Sequence, residues 1–248
     1  MQPRQCTDIS SFGKLIHFTR ENKPKGAGDR CLNCAVESSC PYSAKKIYLD
    51  KQNRRWPVSV VVPDIEDDQS WDMIKVKVQN ALENGPYGKC VYGDCNNDVV
   101  DQQVVILNFD DGQLDLIDEK NSSDFSYLGA TATMQMVAFS EQICQRTSRL
   151  FGTHGELTWK GDDTVVHYDF ITQKRTVYDE TDLSAAGMMS GHGGADFFAM
   201  DSFIQALSLN QPDLIGTGPD DSLHSHIIAF AAESARKEKR VCQLSEFL

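Results

Sequence analysis

No apolar run in this chain of 248 residues approaches the ~20 residues that span a bilayer, so no membrane helix is expected. Residues 1–13 are polar and hold no apolar stretch of a secretion signal. The expected compartment is the cytoplasm. Basic residues are scarce as well: 24 Lys and Arg stand against 36 Asp and Glu, a net charge of −12. A nucleic-acid binder needs a basic face to meet phosphates, and that class is set aside. Neither G-x-G-x-x-G after a strand, G-x-x-x-x-G-K-[ST], H-E-x-x-H nor G-x-S-x-G occurs, so the chain is expected to lack a phosphate loop of its own.

What is present describes an ordinary globular protein, 40% hydrophobic and 24% charged, of a length that suits one large domain over residues 1–248. Its eight cysteines, in a reducing compartment, read as thiols or metal ligands rather than disulfides. The segment 30–50 concentrates them. Cys31 and Cys34 form a C-x-x-C knuckle, which lets two thiolates reach one tetrahedral ion, and Cys40 offers a third. Zinc suits such sulfur ligands. The fourth ligand has to come from afar, and Cys90, Cys95, Cys6 and His17 are the candidates, with Cys90 completing the favoured set. The alternative is a group of reduced thiols packed as small hydrophobes.

Periodicity supplies the elements. Strands are expected over 10–19, 99–109, 130–139, 146–151, 156–160, 165–170 and 174–178, with a short helix over 43–49. Trp71, Ile74, Val78 and Leu82 recur at helical spacing after the acidic run 64–68, and Gly85-Pro86 stops that helix. Phe197, Met200, Phe203, Ile204 and Leu207 mark another helix; Leu223, Ile227, Phe230 and Ala231 mark a last one over 221–237. Strands bracketed by helices predict an α+β fold, a large, mostly antiparallel sheet with helices packed on one face.

Two features carry candidate chemistry. Gly191-His192-Gly193-Gly194-Ala195-Asp196 draws a tight glycine turn that aims an imidazole outward, with Asp196 at the helix start where the dipole favours a carboxylate; its alternative is a glycine turn with a surface histidine. Asp101 and Gln103 share a strand face, where a carboxylate and an amide can hydrogen-bond a polyhydroxy substrate. The alternative there is a solvent-facing strand end. His154, His167, His224 and His226 lack the spacing of a ligand pair.

Several motifs, in order, resemble the C-terminal domain of the Gfo/Idh/MocA oxidoreductases, relatives of glucose–fructose oxidoreductase and inositol dehydrogenase. They are Ser11-Phe12-Gly13 with Arg20-Glu21-Asn22 and Pro24; Arg30-Cys31, Cys34 and Cys40-Pro41-Tyr42-Ser43-Ala44; Gly85-Pro86-Tyr87-Gly88 with Cys90-Val91-Tyr92; and Asn97-Asp98-Val99-Val100-Asp101 with Gln103. Phe151-Gly152-Thr153 with Gly155-Glu156, the Gly191–Gly194 turn with Asp196, and Ser225-His226 with Ala231-Ala232-Glu233-Ser234 continue the series. Two departures stand out. Gln102 replaces the histidine usual in this branch, and residues 113–128 look like a surface insertion.

The resemblance implies a two-domain enzyme. A Rossmann-type half holds NAD(P) and a catalytic lysine, and the sheet domain holds the substrate and often forms the oligomer interface. The nucleotide half, with an aspartate and a histidine used in proton transfer, is expected to precede this chain, which alone neither binds NAD(P) nor turns over. The expected role is the substrate-binding domain of an NAD(P)-dependent oxidoreductase acting on a sugar, polyol or related hydroxy compound, in a homo-oligomer. His192, Asp196, Asp101 and Gln103 are its expected substrate contacts. The alternatives are a non-catalytic module stabilised by metal at Cys31, Cys34, Cys40 and Cys90, and part of an NAD-dependent glycosidase.

Overall fold

The computed structural model describes residues 5–66, 68–109, 129–141, 144–161, 164–179 and 195–248. The Gly191–Gly194 stretch with His192, and the whole of the 113–128 insertion, lie outside them. The architecture is α+β, with two antiparallel four-stranded sheets and, among the described residues, five α-helices. Internal contacts divide the chain into two compact units, Met1–Phe139 with Phe230–Leu248, and Ser140–Ala229.

The first unit is built on the sheet β3-β2-β1-β8, formed by β1 (Cys6–Lys14), β2 (Gln102–Phe109), β3 (Ala130–Val137) and the short β8 (Cys242–Gln243). β1 and β2 pair antiparallel from Cys6↔Phe109 to Lys14↔Gln102. A strand was expected over 10–19, but β1 begins and ends four to five residues earlier. The reason is electrostatic. The amides of Ile16, His17 and Phe18 turn away from the ladder onto the Asp101 carboxylate, so no strand continues past Lys14.

Between β1 and β2 the chain makes a helical cluster. α1 (Ala44–Tyr48) is capped by Ser43, whose hydroxyl accepts the Lys45 amide, as the short helix expected at 43–49 requires. α2 (Val58–Val61) follows, then α3 (Trp71–Asn84), capped by Ser70 with Asp72 in its first turn. The acidic run at 64–68 therefore precedes the helix rather than opening it. Ile74, Val78 and Leu82 recur every four residues on one face and are fully buried, packed with Ala44, Val58 and Val62. Each such side chain contributes roughly 1.5–3 kcal/mol by leaving water. Gly85 ends the helix, its amide bonded to the Ala81 carbonyl at 2.7 Å. The next turn, Pro86–Gly88, folds back so closely that a Cβ on Gly88 would fall 1.7 Å from the Leu82 carbonyl oxygen.

The second unit carries the sheet β4-β5-β6-β7, an up-and-down meander of β4 (Ser148–Phe151), β5 (Gly155–Trp159), β6 (Thr164–Asp169) and β7 (Arg175–Asp179). Its element types match the sequence pattern; no residue of these strands is fully buried. α4 (Ala195–Leu209) carries Asp196 in its first turn. The periodic residues Phe197, Met200, Phe203, Ile204 and Leu207 are exposed, and Ala206 is the buried one. Period decides which residues share a face, not what covers it.

α5 (Pro219–Glu238) opens with Asp220 and Asp221 and closes with Arg236 and Lys237, the polarity its dipole favours. Its part from Phe230 onward belongs to the first unit. There Ala231, Ala232 and Ala235 are buried, whereas Leu223 and Phe230 of the expected apolar face are exposed.

Candidate functional site

Several motif residues of the first unit meet where β1 and β3 end and β2 begins. Asp101 immediately precedes β2 and is 2% exposed, so it is buried rather than a solvent-facing strand end. Its amide donates to the Lys14 carbonyl at 3.3 Å, and its carbonyl accepts the Ala138 amide at 2.9 Å. The carboxylate accepts three successive amides, those of Ile16 at 3.1 Å to each oxygen, His17 at 2.7 Å and Phe18 at 3.2 Å. Burial pushes this carboxyl group upward, but the His17, Ile16 and Phe18 amides outweigh it and hold its pKa below the ordinary aspartate range. Asp101 is thus an anion held in a backbone nest, and it fixes the bend that ends β1.

That bend positions His17. Its Nε2 lies 3.0 Å from the Tyr92 hydroxyl. The His17 ring also packs edge-on against Phe18, Tyr42, Tyr92 and Phe139 at centroid distances of 5.1–5.3 Å, a geometry that aromatic quadrupoles favour. Burial raises the Tyr92 hydroxyl above its ordinary pKa, and the nearby Cys40 and Tyr42 add to the effect. The hydroxyl therefore stays protonated at neutral pH and can donate to His17. This pair escaped sequence reasoning as a unit. Tyr92 stood in the motif series and His17 among the possible metal ligands, but 75 residues separate them and no local pattern links them.

Gln103 lies on β2 and donates from Nε2 to the buried Ser11 hydroxyl at 2.9 Å, across the β1–β2 pair. Gly13 makes room for it: a Cβ there would meet Gln103 Cβ at 3.0 Å. Asp101 and Gln103 therefore sit close together, each with polar atoms engaged inside the sheet. Asp196 lies in the second unit, exposed at the start of α4. His192, the partner expected for it, is outside the described residues.

The cysteines converge. Cys31, Cys34, Cys40 and Cys90 all line one cavity of about 20 Å³, with Arg30, Glu37 and Tyr92 also in its wall. Two tight turns present the first three: Cys31–Asn33 leads into Cys34, and Glu37–Ser39 leads into Cys40. Cys90 is brought alongside by the Arg30↔Lys89 bridge and by its own amide, which donates to the Asp29 carbonyl at 2.8 Å. The other three candidates for a fourth ligand do not line this cavity. The Cys6 thiol is directed at the Asp8 carbonyl, the Cys95 thiol at the Val91 carbonyl, and His17 at Tyr92.

Backbone amides point at two of the sulfurs, Gly28 to Cys34 Sγ at 3.4 Å and Ala44 to Cys31 Sγ at 3.5 Å. Burial raises the pKa values of the Cys31 and Cys90 thiols, against the opposing pull of the Ala44 and Tyr92 amides. Among the described residues, no three His, Cys, Asp or Glu side chains are already gathered as a metal cage. Comparison of the chain with protein-family models, with curated proteins and with solved structures gives no match.

Proposed function

We propose that this chain is the substrate-binding and assembly domain of an NAD(P)-dependent oxidoreductase of the Gfo/Idh/MocA type, acting on a sugar, polyol or related hydroxy compound. One observation supports the reading above the rest: motif pieces far apart in sequence meet at one place. Residues 11–20, 40–42, 90–92 and 101–103 all reach the end of β1, and they do so through side-chain and backbone contacts rather than by chain adjacency. In this reading the antiparallel sheets belong to one C-terminal domain. His192 and Asp196 are its substrate contacts, while Asp101 and Gln103, engaged with the 16–18 amides and Ser11, shape the end of β1.

In the complete enzyme NAD(P) supplies the hydride chemistry. This chain orients the hydroxyl-bearing carbon, with His192 among its substrate contacts. Assembly through the sheets is part of the proposal. Every residue of β3 is exposed, Met134, Met136 and Val137 among them. Contiguous exposed apolar surface marks interaction sites.

Saturation-transfer NMR on the chain with a panel of sugars and polyols tests the substrate side. At least one hydroxy compound is expected to bind and to lose its signal in the His192→Ala and Asp196→Ala double variant. Silence across the whole panel overturns the assignment. A titration with NAD(H) tests the division of labour, with no micromolar binding expected from this chain alone.

A further inference from the structure

We propose that Cys31, Cys34, Cys40 and Cys90 bind one zinc ion, which staples the turns before α1 to the loop that follows α3. This inference stands on the cysteine cavity and does not rest on the oxidoreductase reading.

Four thiols from two distant stretches of chain line a single cavity. At about 20 Å³ it has room for one water-sized occupant. A structural zinc ion takes four such sulfurs in a tetrahedron, with Zn–S bonds of about 2.3 Å. The two charged side chains in the wall have other partners. Arg30 donates to the Leu82 and Gly85 carbonyls at 2.9 Å each, and Glu37 accepts from Lys45 at 2.7 Å and from the Ser43 hydroxyl. Neither has to be released for the thiols to serve a metal.

The amides of Gly28 and Ala44 already donate towards sulfur, an arrangement that stabilises thiolates once formed. Closing the site requires the cysteine side chains to turn inward from the wall, with loss of the thiol protons to solvent. The segment 15–43 gives a reason for the staple. Its regular structure is three short 3-10 turns and the single Arg30↔Lys89 bridge, little to hold these turns against the remote Cys90.

The test uses the 248-residue chain purified without added metal. Elemental analysis is expected to find about one zinc per chain and no stoichiometric iron. Titrating the native protein with a mercurial in the presence of a zinc-sensitive dye should release that zinc after about four thiols react. Cobalt exchanged into the protein should show the intense visible bands of tetrahedral sulfur ligation. Cys34→Ser and Cys90→Ser should each lose the zinc, and Cys144→Ser, at an exposed thiol, should keep it. Protein that is metal-free and takes up neither zinc nor cobalt overturns the proposal. So do stoichiometric iron, a disulfide among the four cysteines, and zinc retained in Cys90→Ser. The mercurial titration decides the case on wild-type protein if the serine variants do not fold.

Discussion

The two units differ most in what they bury. The first has Ile9, Val58, Ile74, Val78 and Leu82 wholly removed from water, whereas among the described residues of the second the buried apolar side chain is Ala206. Yet the ladder from β4 to β7 pairs in unbroken register, whereas β1–β2 slips between Cys6 and Asp8. A ladder of backbone hydrogen bonds needs only the right residue types in the right order; a core needs a second surface laid over the first. The same contrast holds for carboxylates. Asp101 gathers three amides from residues 83–85 positions away in sequence. The half-buried Asp169 gathers two, from Ile171 at 2.7 Å and Thr172 at 2.9 Å, to shape a local turn.

The largest effect is expected in the core. Leu82→Ala should destabilise the first unit by about 2–5 kcal/mol, the range for emptying a packed leucine site. Leu150→Ala, at a side chain 61% exposed, should change stability by no more than about 0.5 kcal/mol. Chemical denaturation of both variants measures the difference. Equal losses would break the comparison and mean that the β4 face is covered in solution, which sedimentation of the wild type would reveal as a second copy.

Next comes Asp101→Ala, which strips three amides of their acceptor and should destabilise by about 2–4 kcal/mol. Because its folded pKa is depressed, the unfolded chain takes up the proton first as pH falls. The stabilisation is complete above about pH 4, the unfolded aspartate value. It is lost as pH falls from there through the lower folded value. Asp101→Asn should therefore be less stable than wild type at pH 7 and should show a flatter acid limb below about pH 4. Thermal melts across pH read this directly, and an unchanged acid limb would show that the nest does not hold an ionised group.

The smallest effect is expected at Asp169. The Thr172 and Ile171 amides lower its pKa as well, but the residue is only half-buried and its turn is local. The melting shift of Asp169→Asn should be less than about a third of that of Asp101→Ala. A larger shift would mean that the meander depends on this turn for its pairing.

These contrasts explain what the sequence made legible. Element types were readable because period is local: α1, α3, β3 and the four strands of the meander fall close to where alternation and helical spacing put them. The face of α3 was legible because Ile74, Val78 and Leu82 are both periodic and buried. The apolar face of α4 was periodic in the same way, and nothing within that stretch says whether it is covered. The end of β1 was illegible because the group that ends it, Asp101, is about 85 residues away. For the site, the C-x-x-C knuckle and Cys40 were local signals. Cys90 was one of several possible partners until the Arg30↔Lys89 bridge placed it. The roles of Asp101 and Gln103 lay beyond reading, since they depend on the 16–18 amides just past β1 and on Ser11 within it, partners that spacing does not reveal.

The Asp101 nest also bears on the order of folding. The cysteine turns and α1 to α3 all lie inside the loop that closes when His17 meets Asp101, 84 residues later. Contacts inside that insert, such as Val58 with Ile74 or Arg30 with Leu82, span shorter stretches and need less loop entropy. An insert that is already compact holds the ends of β1 and β2 near each other. The β1–β2 pairing then behaves as a far more local contact than its sequence separation implies, which moves the sheet towards the faster end of the range set by topology.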